Sequence, residues 1–289
     1  VDKLSIVIPV YNEEDALSET ISFFEDLLKI NPNVEVIFID DGSTDKSADI
    51  LSRLSVPGIR VIPHGKNKGY GASLKTGVKN AKYDSVCITD ADGSYPNDDI
   101  TALYDTFNKE NADMVVGART GAFVDKGVLR KTTKSLLKKL AEVLSGETIL
   151  DFNSGFRIFK KELAMRALKY LPDGFSFTTT ITLYFLSNNH KITYVPIDYY
   201  QRKGKSKIRP IKDSLNFLQL IIRTVMFFNP LKVFLPLSLL FLFLSFAVLL
   251  ISYLMGRVMD ITTIVLFVTG IQLLALGLLA DLIDKRLGK

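Results

Sequence analysis

The sequence predicts an α/β domain on a mainly parallel sheet, followed by a juxtamembrane helix and a two-helix transmembrane hairpin. Three observations predict it. Short apolar runs alternate with segments of helical period through the first part of the chain. Those runs lack a polar face, as strands do when helices cover both sides of a sheet. Near the end, residues 233–280 carry only Arg257 and Asp260 as charges. The expected division is 1–209 for the α/β domain, 210–231 for a juxtamembrane amphipathic segment, 232–283 for the hairpin and 284–289 for a short tail.

The elements follow in order. LSIVIPVYN (4–12) is an apolar strand closed by Pro and Asn. Residues 14–29 place Leu17, Ile21, Phe24, Leu27 and Leu28 at the spacing of a helix lying on a sheet. VEVIFIDDG (34–42) is a second strand, and a helix over 45–54 follows that Ser43 or Thr44 would cap. A strand over 59–63, a helix over 71–81, the apolar run leading to Asp90 and the strand MVVGAR (114–119) continue the alternation. Arg130 opens a further helix with Leu136, Leu137, Leu140, Val143 and Leu144 on one face and Lys131, Lys134, Lys138 and Lys139 largely on the other. Residues 213–228 are mixed in the same way and suit a membrane interface. In parallel sheets ligands bind beyond the carboxyl ends of the strands. Asn12, Asp40, Asp41, Asp90, Asp92 and Arg119 all fall at such ends, so they are expected to share one cleft.

VCITDADGSYP (86–96) runs from a buried strand into two acids. Asp and Gly suit turns, so the pair alone is ambiguous. On extended backbone, however, residues i and i+2 project to one side, their Cα atoms roughly 7 Å apart. Two carboxylates facing one small volume repel each other, and a hard divalent cation relieves the repulsion. Mg²⁺ accepts one or two carboxylates and completes its shell with water and phosphate oxygens. Asp90 and Asp92 are therefore expected to hold a divalent metal, Mg or Mn, that meets a phosphorylated ligand.

One helix over 233–280 would be about 70 Å long, against a hydrocarbon core of about 30 Å. Division at 256–260 gives spans of about 233–255 and 261–280 and puts Arg257 and Asp260 in the turn. Arg202, Lys203, Lys205, Lys207, Arg209, Lys212, Arg223 and Lys232 precede the hairpin, while Lys285, Arg286 and Lys289 follow it. By the positive-inside rule the α/β domain and both termini are cytoplasmic in an integral membrane protein. The net charge of +5 is then a juxtamembrane cluster against an anionic bilayer and calls for no nucleic acid. A single cysteine, Cys87, excludes an intrachain disulfide and fits core packing. His64 and His190 lack the partner spacing of a zinc site.

IVIPVYNEE, IDDGSTD and TDADGSYP, in this order and at these intervals, resemble the inverting family 2 glycosyltransferases, whose nucleotide-sugar domain has the GT-A fold. The resemblance covers residues 4–201. It implies that Pro9, Tyr11, Asn12 and Glu13, with one or both of Asp40 and Asp41, hold the base and ribose of a nucleotide sugar. Asp90 and Asp92, flanking Ala91, would be that family's metal-binding pair. GKNKGYGASLKTG (65–77) would bring backbone amides, Gly69 among them, near the donor at a helix N-terminus.

Two further segments resemble polyprenyl-phosphate sugar transferases, the dolichyl-phosphate and undecaprenyl-phosphate enzymes: DFNSGFRIFKKE (151–162) and the basic YYQRKGKSKIRP (199–210). The resemblance implies catalytic positions at Asp92, Asp151 and Arg119, with Asp151 lining the sugar site as a base or an orienting group. The acceptor phosphate would meet Arg119, Arg130, Arg202, Lys205 and Lys207 at the bilayer surface. The expected activity is metal-dependent, inverting transfer of one hexose from a GDP- or UDP-sugar to a polyprenyl phosphate. The alternatives are transfer to another lipid such as diacylglycerol, or a non-catalytic nucleotide-sugar-binding membrane partner. Dolichyl-phosphate mannose synthases often carry Gln where this chain has Ser94, which leaves the third metal contact open. The Q-x-x-R-W motif of processive synthases is absent, and with no Trp in the chain extension is not expected. DADGS also resembles the D-x-D-G-T of haloacid dehalogenase-type phosphatases, but those carry it on the first strand and here three strands precede it. A homo-oligomer packed through the hairpin is compatible with the sequence.

Overall fold

Alternate residues of the first strand enter two separate apolar layers. In Leu4–Val10 (β1), Ile6, Ile8 and Val10 meet Leu17, Ile21 and Phe24 of helix Glu14–Ile30 (α1). Val7, on the other face, meets Leu74 and Val78 of helix Tyr70–Asn80 (α3). This is the arrangement that strands without a polar face require. In the computed structural model residues 1–120, 142, 149–174, 176–200, 230–256 and 260–287 are described.

Val34–Asp40 (β2), Ile59–Pro63 (β3) and Ser85–Ile88 (β4) join β1 in parallel register. Met114–Thr120 (β5), Arg157–Lys160 (β6) and Ile192–Asp198 (β7) complete the sheet in the order β3-β2-β1-β4-β6-β5-β7. Only β6 among these strands runs antiparallel to its neighbours. The sequence pattern predicts no strand at β6 or β7. β6 is four residues long, carries two cations and passes directly into helix Lys161–Ala167 (α5), while β7 is mostly half-buried and contains Pro196. Neither shows the continuous apolar run of a central strand.

Helix Ile100–Lys109 (α4) packs with α1 on one face of the sheet, and Phe177–Ser187 (α6) with α3 on the other. Phe24 and Phe177 are fully buried in the two layers, and truncating either to Ala would cost about 3–5 kcal/mol. Gly77 brings α3 down onto Val7, where any added side chain would overlap the valine γ-carbons.

The helix expected over 45–54 is shorter, Ser47–Ser52 (α2), and neither Ser43 nor Thr44 caps it. These residues are tied across to the first motif instead. Ser43 Oγ accepts from the Asn12 amide at 3.2 Å, and the Thr44 amide donates to Asn12 Oδ1 at 2.7 Å. Asp45 turns its carboxylate to the amides of Ser47 and Glu14. The side chains that local spacing marks as caps thus join two separate motifs.

The C-terminal helices are Leu231–Met255 (α7) and Asp260–Leu287 (α8), so the second runs on past the expected end at 280. Gly256 ends α7 in the left-handed region at φ 60°. Their seam is made of small residues. Ser238, Ser245 and Ser252 are buried at seven-residue intervals. Ser238 Oγ donates to the Gly270 carbonyl at 2.8 Å and Ser245 Oγ to the Thr263 carbonyl at 2.9 Å. A Cβ on Gly270 would lie 2.8 Å from Leu242 Cγ, and one on Gly277 would lie 2.6 Å from Phe234 Cβ. Small residues let apolar helices approach closely and turn their large side chains outward. Phe243, Phe246, Leu276 and Leu279 are accordingly more than half exposed, which excludes a pair of buried core helices. Both helices are long and apolar enough to cross a bilayer.

Candidate active site

A cavity of about 280 Å³ opens at the carboxyl edge of β1, β2 and β4. Pro9, Tyr11, Glu13, Asp41, Gly69, Asp90, Ala91 and Asp92 line it, so most of the expected donor residues converge there. Asn12, Asp40, Arg119 and Asp151 are not among its lining residues. Asn12, at φ 55°, holds the loop after β1 to Ser43 and Thr44, and Asp40 Oδ1 accepts the Ser43 amide at 2.9 Å to close the turn after β2. Val10, Asn67, Tyr70 and Ser73 also line the cavity; they lie within the expected donor segments 9–13 and 65–77 without being named there individually.

Asp90 and Asp92 border this one cavity, although β4 ends at Ile88 and residues 91–93 bend rather than extend. Other contacts therefore aim the two carboxylates. Tyr70 Oη donates to Asp90 Oδ1 at 2.9 Å from the first turn of α3. The Ser94 amide and hydroxyl donate to Asp92 Oδ1 at 3.0 and 2.6 Å. Ser94 thus orients an acid of the pair. Burial, then the Asp90 charge, push the Tyr70 phenol well above its ordinary range and keep it a donor. Gly155 packs against both groups: a Cβ there would lie 2.8 Å from Tyr70 Oη and 3.1 Å from Asp90 Oδ1.

The loop before α3 carries an internal anion. Asp41 accepts the Lys68 amide on Oδ1 and the Gly69 amide on Oδ2, both at 2.9 Å. Amides that the glycine-rich sequence offered to a phosphate are bonded to the protein's own carboxylate. Gly42, at φ 71°, permits this docking, since a Cβ on it would lie 2.6 Å from the Lys66 backbone.

Arg119, at the end of β5, forms a bidentate pair with Asp151: Nε to Oδ2 at 2.7 Å and Nη2 to Oδ1 at 2.9 Å. Asp151 also accepts the amides of Asn153 and Ser154. Burial alone would raise the Asp151 carboxyl, but the hydrogen bonds and charge of Arg119 hold it below the ordinary range. Burial would likewise lower Arg119, and Tyr95 and Asp151 more than reverse that. The guanidinium lies 5.2 Å from the Tyr199 ring centroid, Tyr199 packs edge-on to Tyr95, and Tyr95 Oη accepts the Gly155 amide at 2.7 Å. One aromatic chain thereby links the Arg119 pair to the glycine beside Asp90.

Arg157 anchors this loop from beneath. Fully buried, it donates to the carbonyls of Phe152, Ser154 and Thr178 and to Thr182 Oγ at 2.8 Å. Its position in DFNSGFR was visible in the sequence, but two of its partners, Thr178 and Thr182, lie on α6. Cys87 is buried in β4, where burial pushes its thiol up, consistent with core packing. Arg130, Arg202, Lys205 and Lys207, together with the expected helices over 130–144 and 213–228, lie outside the described residues, save Glu142.

A cation fits the donor set at Asp90 and Asp92. No cluster of three or more His, Cys, Asp or Glu converges among the described residues, so a metal here would be shared by two carboxylates with ligand oxygens and water.

The parallel sheet, the acid pair at its carboxyl edge and the antiparallel β6 define a GT-A fold. Residues 5–168 match the family described as glycosyl transferase family 2, and the chain belongs to that family. Residues 229–285 match the GtrB C-terminal hairpin, and α7 and α8 make this a membrane-associated protein. The bactoprenol glucosyl transferase of Shigella phage SfV is 28% identical over 98% of this chain and 94% of its own. The dolichyl-phosphate beta-glucosyltransferase of Saccharomyces cerevisiae is 25% identical over 73% of this chain and 71% of its own. Glucosyl-3-phosphoglycerate synthase of Mycobacterium tuberculosis, solved with Mn²⁺, UDP and glucosyl-3-phosphoglycerate, superposes with a TM-score of 0.57 at 20% identity over 78% of this chain and 79% of its own. That likeness is one of fold.

Proposed function

We propose that the chain transfers one hexose from a UDP- or GDP-sugar to a polyprenyl phosphate at the cytoplasmic face of a membrane, with inversion at the anomeric carbon. The observation that carries the reading is the convergence of Asp90 and Asp92 on one cavity, at the sheet edge that also ends in Arg119. It is supported by a hairpin suited to the bilayer in the same chain and by relatives named for bactoprenol and dolichyl-phosphate transfer.

Asp90 and Asp92 would hold Mg²⁺ or Mn²⁺, which when bound offsets charge on the departing diphosphate. Tyr70 and Ser94 keep those carboxylates aimed into the cavity. The acceptor oxygen needs little activation, because a phosphate monoester with a second pKa near 6 is mostly dianionic at pH 7. Asp151 is therefore read as a holder of Arg119 rather than a proton acceptor, in keeping with its depressed carboxyl. Arg119 in turn offers positive charge to the acceptor phosphate, with Arg130, Arg202, Lys205 and Lys207 assigned to the same anion from sequence. Alignment and charge compensation make up the catalytic contribution. The Lys- and Arg-rich flanks of the hairpin support a cytoplasmic catalytic domain and cytoplasmic chain ends.

The test incubates purified protein with labelled UDP- and GDP-sugars and either a polyprenyl phosphate or diacylglycerol. Label in the polyprenyl lipid, lost in Asp92→Ala while the variant stays folded and membrane-bound, is the expected result. Label in diacylglycerol alone, or binding without transfer, would overturn the assignment.

A further inference from the structure

His64 has a buried side chain to which the transfer chemistry assigns no part. It follows β3 directly, and its amide donates to the Asp40 carbonyl at 2.9 Å, prolonging the β2–β3 ladder. The ladder sets where the ring falls. Nδ1 lies 2.8 Å from Asp41 Oδ1, and Nε2 lies 2.9 Å from Thr76 Oγ on α3. A carboxylate only accepts, so Nδ1 carries the hydrogen. The His64 and Asp41 side chains are each only 4% exposed.

We infer that His64 is a positioning residue for the donor: it fixes the Asp41 carboxylate on the amides of Lys68 and Gly69 and so preforms one wall of the cavity. Asp41, Asn67, Gly69 and Tyr70 all border that cavity, so the position of this loop is the shape of the site. The two amides meet Asp41 from the loop, and the imidazole meets it from β3, which prevents the carboxylate from turning with the loop. Thr76, whose Oγ is also 3.1 Å from the Ala72 carbonyl, holds the far side of the ring to α3. A wall ordered in advance removes an ordering cost from ligand binding. The inference rests on reading this cavity as the nucleotide-sugar site.

The full-length protein is titrated calorimetrically with UDP and with GDP, each with Mn²⁺, alongside His64→Phe and His64→Asn. Withdrawing one charge-assisted hydrogen bond from Asp41 is expected to weaken binding of the nucleotide the wild type takes by about tenfold in His64→Phe. His64→Asn, whose Nδ2 can stand where Nδ1 stood, is expected to stay within about threefold. Amide exchange at Lys68 and Gly69 is expected to quicken in the Phe variant and not in the Asn variant. Wild-type affinity in His64→Phe, or equal loss in both variants, would overturn the inference while leaving the donor site standing. Failure of the wild-type chain to bind either nucleotide would overturn the donor-site reading and the inference with it. If His64→Phe does not fold, His64→Gln, which keeps the Thr76 side and withdraws the Asp41 bond, takes its place with the same outcomes.

Discussion

Asp151→Asn separates two roles for this residue, because the change removes the charge and leaves the shape. In the wild type Asp151 receives two guanidinium bonds and the Asn153 and Ser154 amides, with side-chain exposures of 12% for Asp151 and 20% for Arg119. Breaking a buried pair outright costs about 3–5 kcal/mol. The amide still offers one acceptor oxygen, so about 2 kcal/mol is expected, seen as a fall of about 4–8 °C in the thermal midpoint. Arg119 would lose its bidentate lock, and a displacement near 1 Å at a positioned group lowers transfer by about 10²-fold. The pH dependence is the decisive reading. The folded carboxyl lies below its ordinary value of 3.8, so the pair's stabilisation is complete above that value and fades only as pH falls through the lower folded pKa. The wild-type transfer rate should therefore show no acidic limb from Asp151 between about pH 5 and 8. Initial rates at saturating donor across that range, with thermal melts on both proteins, make the measurement. An acidic limb in the wild type that disappears in Asp151→Asn would identify a general base and refute the positioning argument.

Tyr70→Phe removes the donor that aims Asp90, and the affinity for Mn²⁺, followed by its EPR signal with UDP present, should fall by about tenfold with the fold intact. Gly155→Ala drives a methyl to 2.8 Å from Tyr70 Oη and 3.1 Å from Asp90 Oδ1; transfer should fall by about 10²-fold for a stability cost of about 1–3 kcal/mol, measured by rate assay and melt. Gly270→Val presses on Leu242 across the hairpin seam, so the melting midpoint of the full-length protein should drop while UDP affinity at the cavity is unchanged.

Much of this molecule follows from patterns a few residues long. The parallel strands β1 to β5 were legible because burial on both faces selects unbroken apolar runs. The acid pair was legible because β4 leads straight to it, and the hairpin because a bilayer demands length without charge. The choice of partners was not legible, since each depends on segments brought together from far along the chain. Asp41, expected at the nucleotide site, does line the cavity, but folding also delivers the amides of Lys68 and Gly69 and the ring of His64 to its carboxylate. Arg119 and Asp151 were each singled out, but only the antiparallel insertion of β6 beside β5 brings them into one ion pair. The serine repeat in α7 faces the Thr263 and Gly270 carbonyls of α8, a match that exists only once the hairpin closes. Sequence by itself determined β1 to β5, α1 to α3 and the two spans, because those depend on local period and solvent, but not β6, β7 or α4 to α6. Tertiary structure decided which carboxylates face the cavity and which hold the protein together, because a buried charge takes whichever donors the fold places beside it.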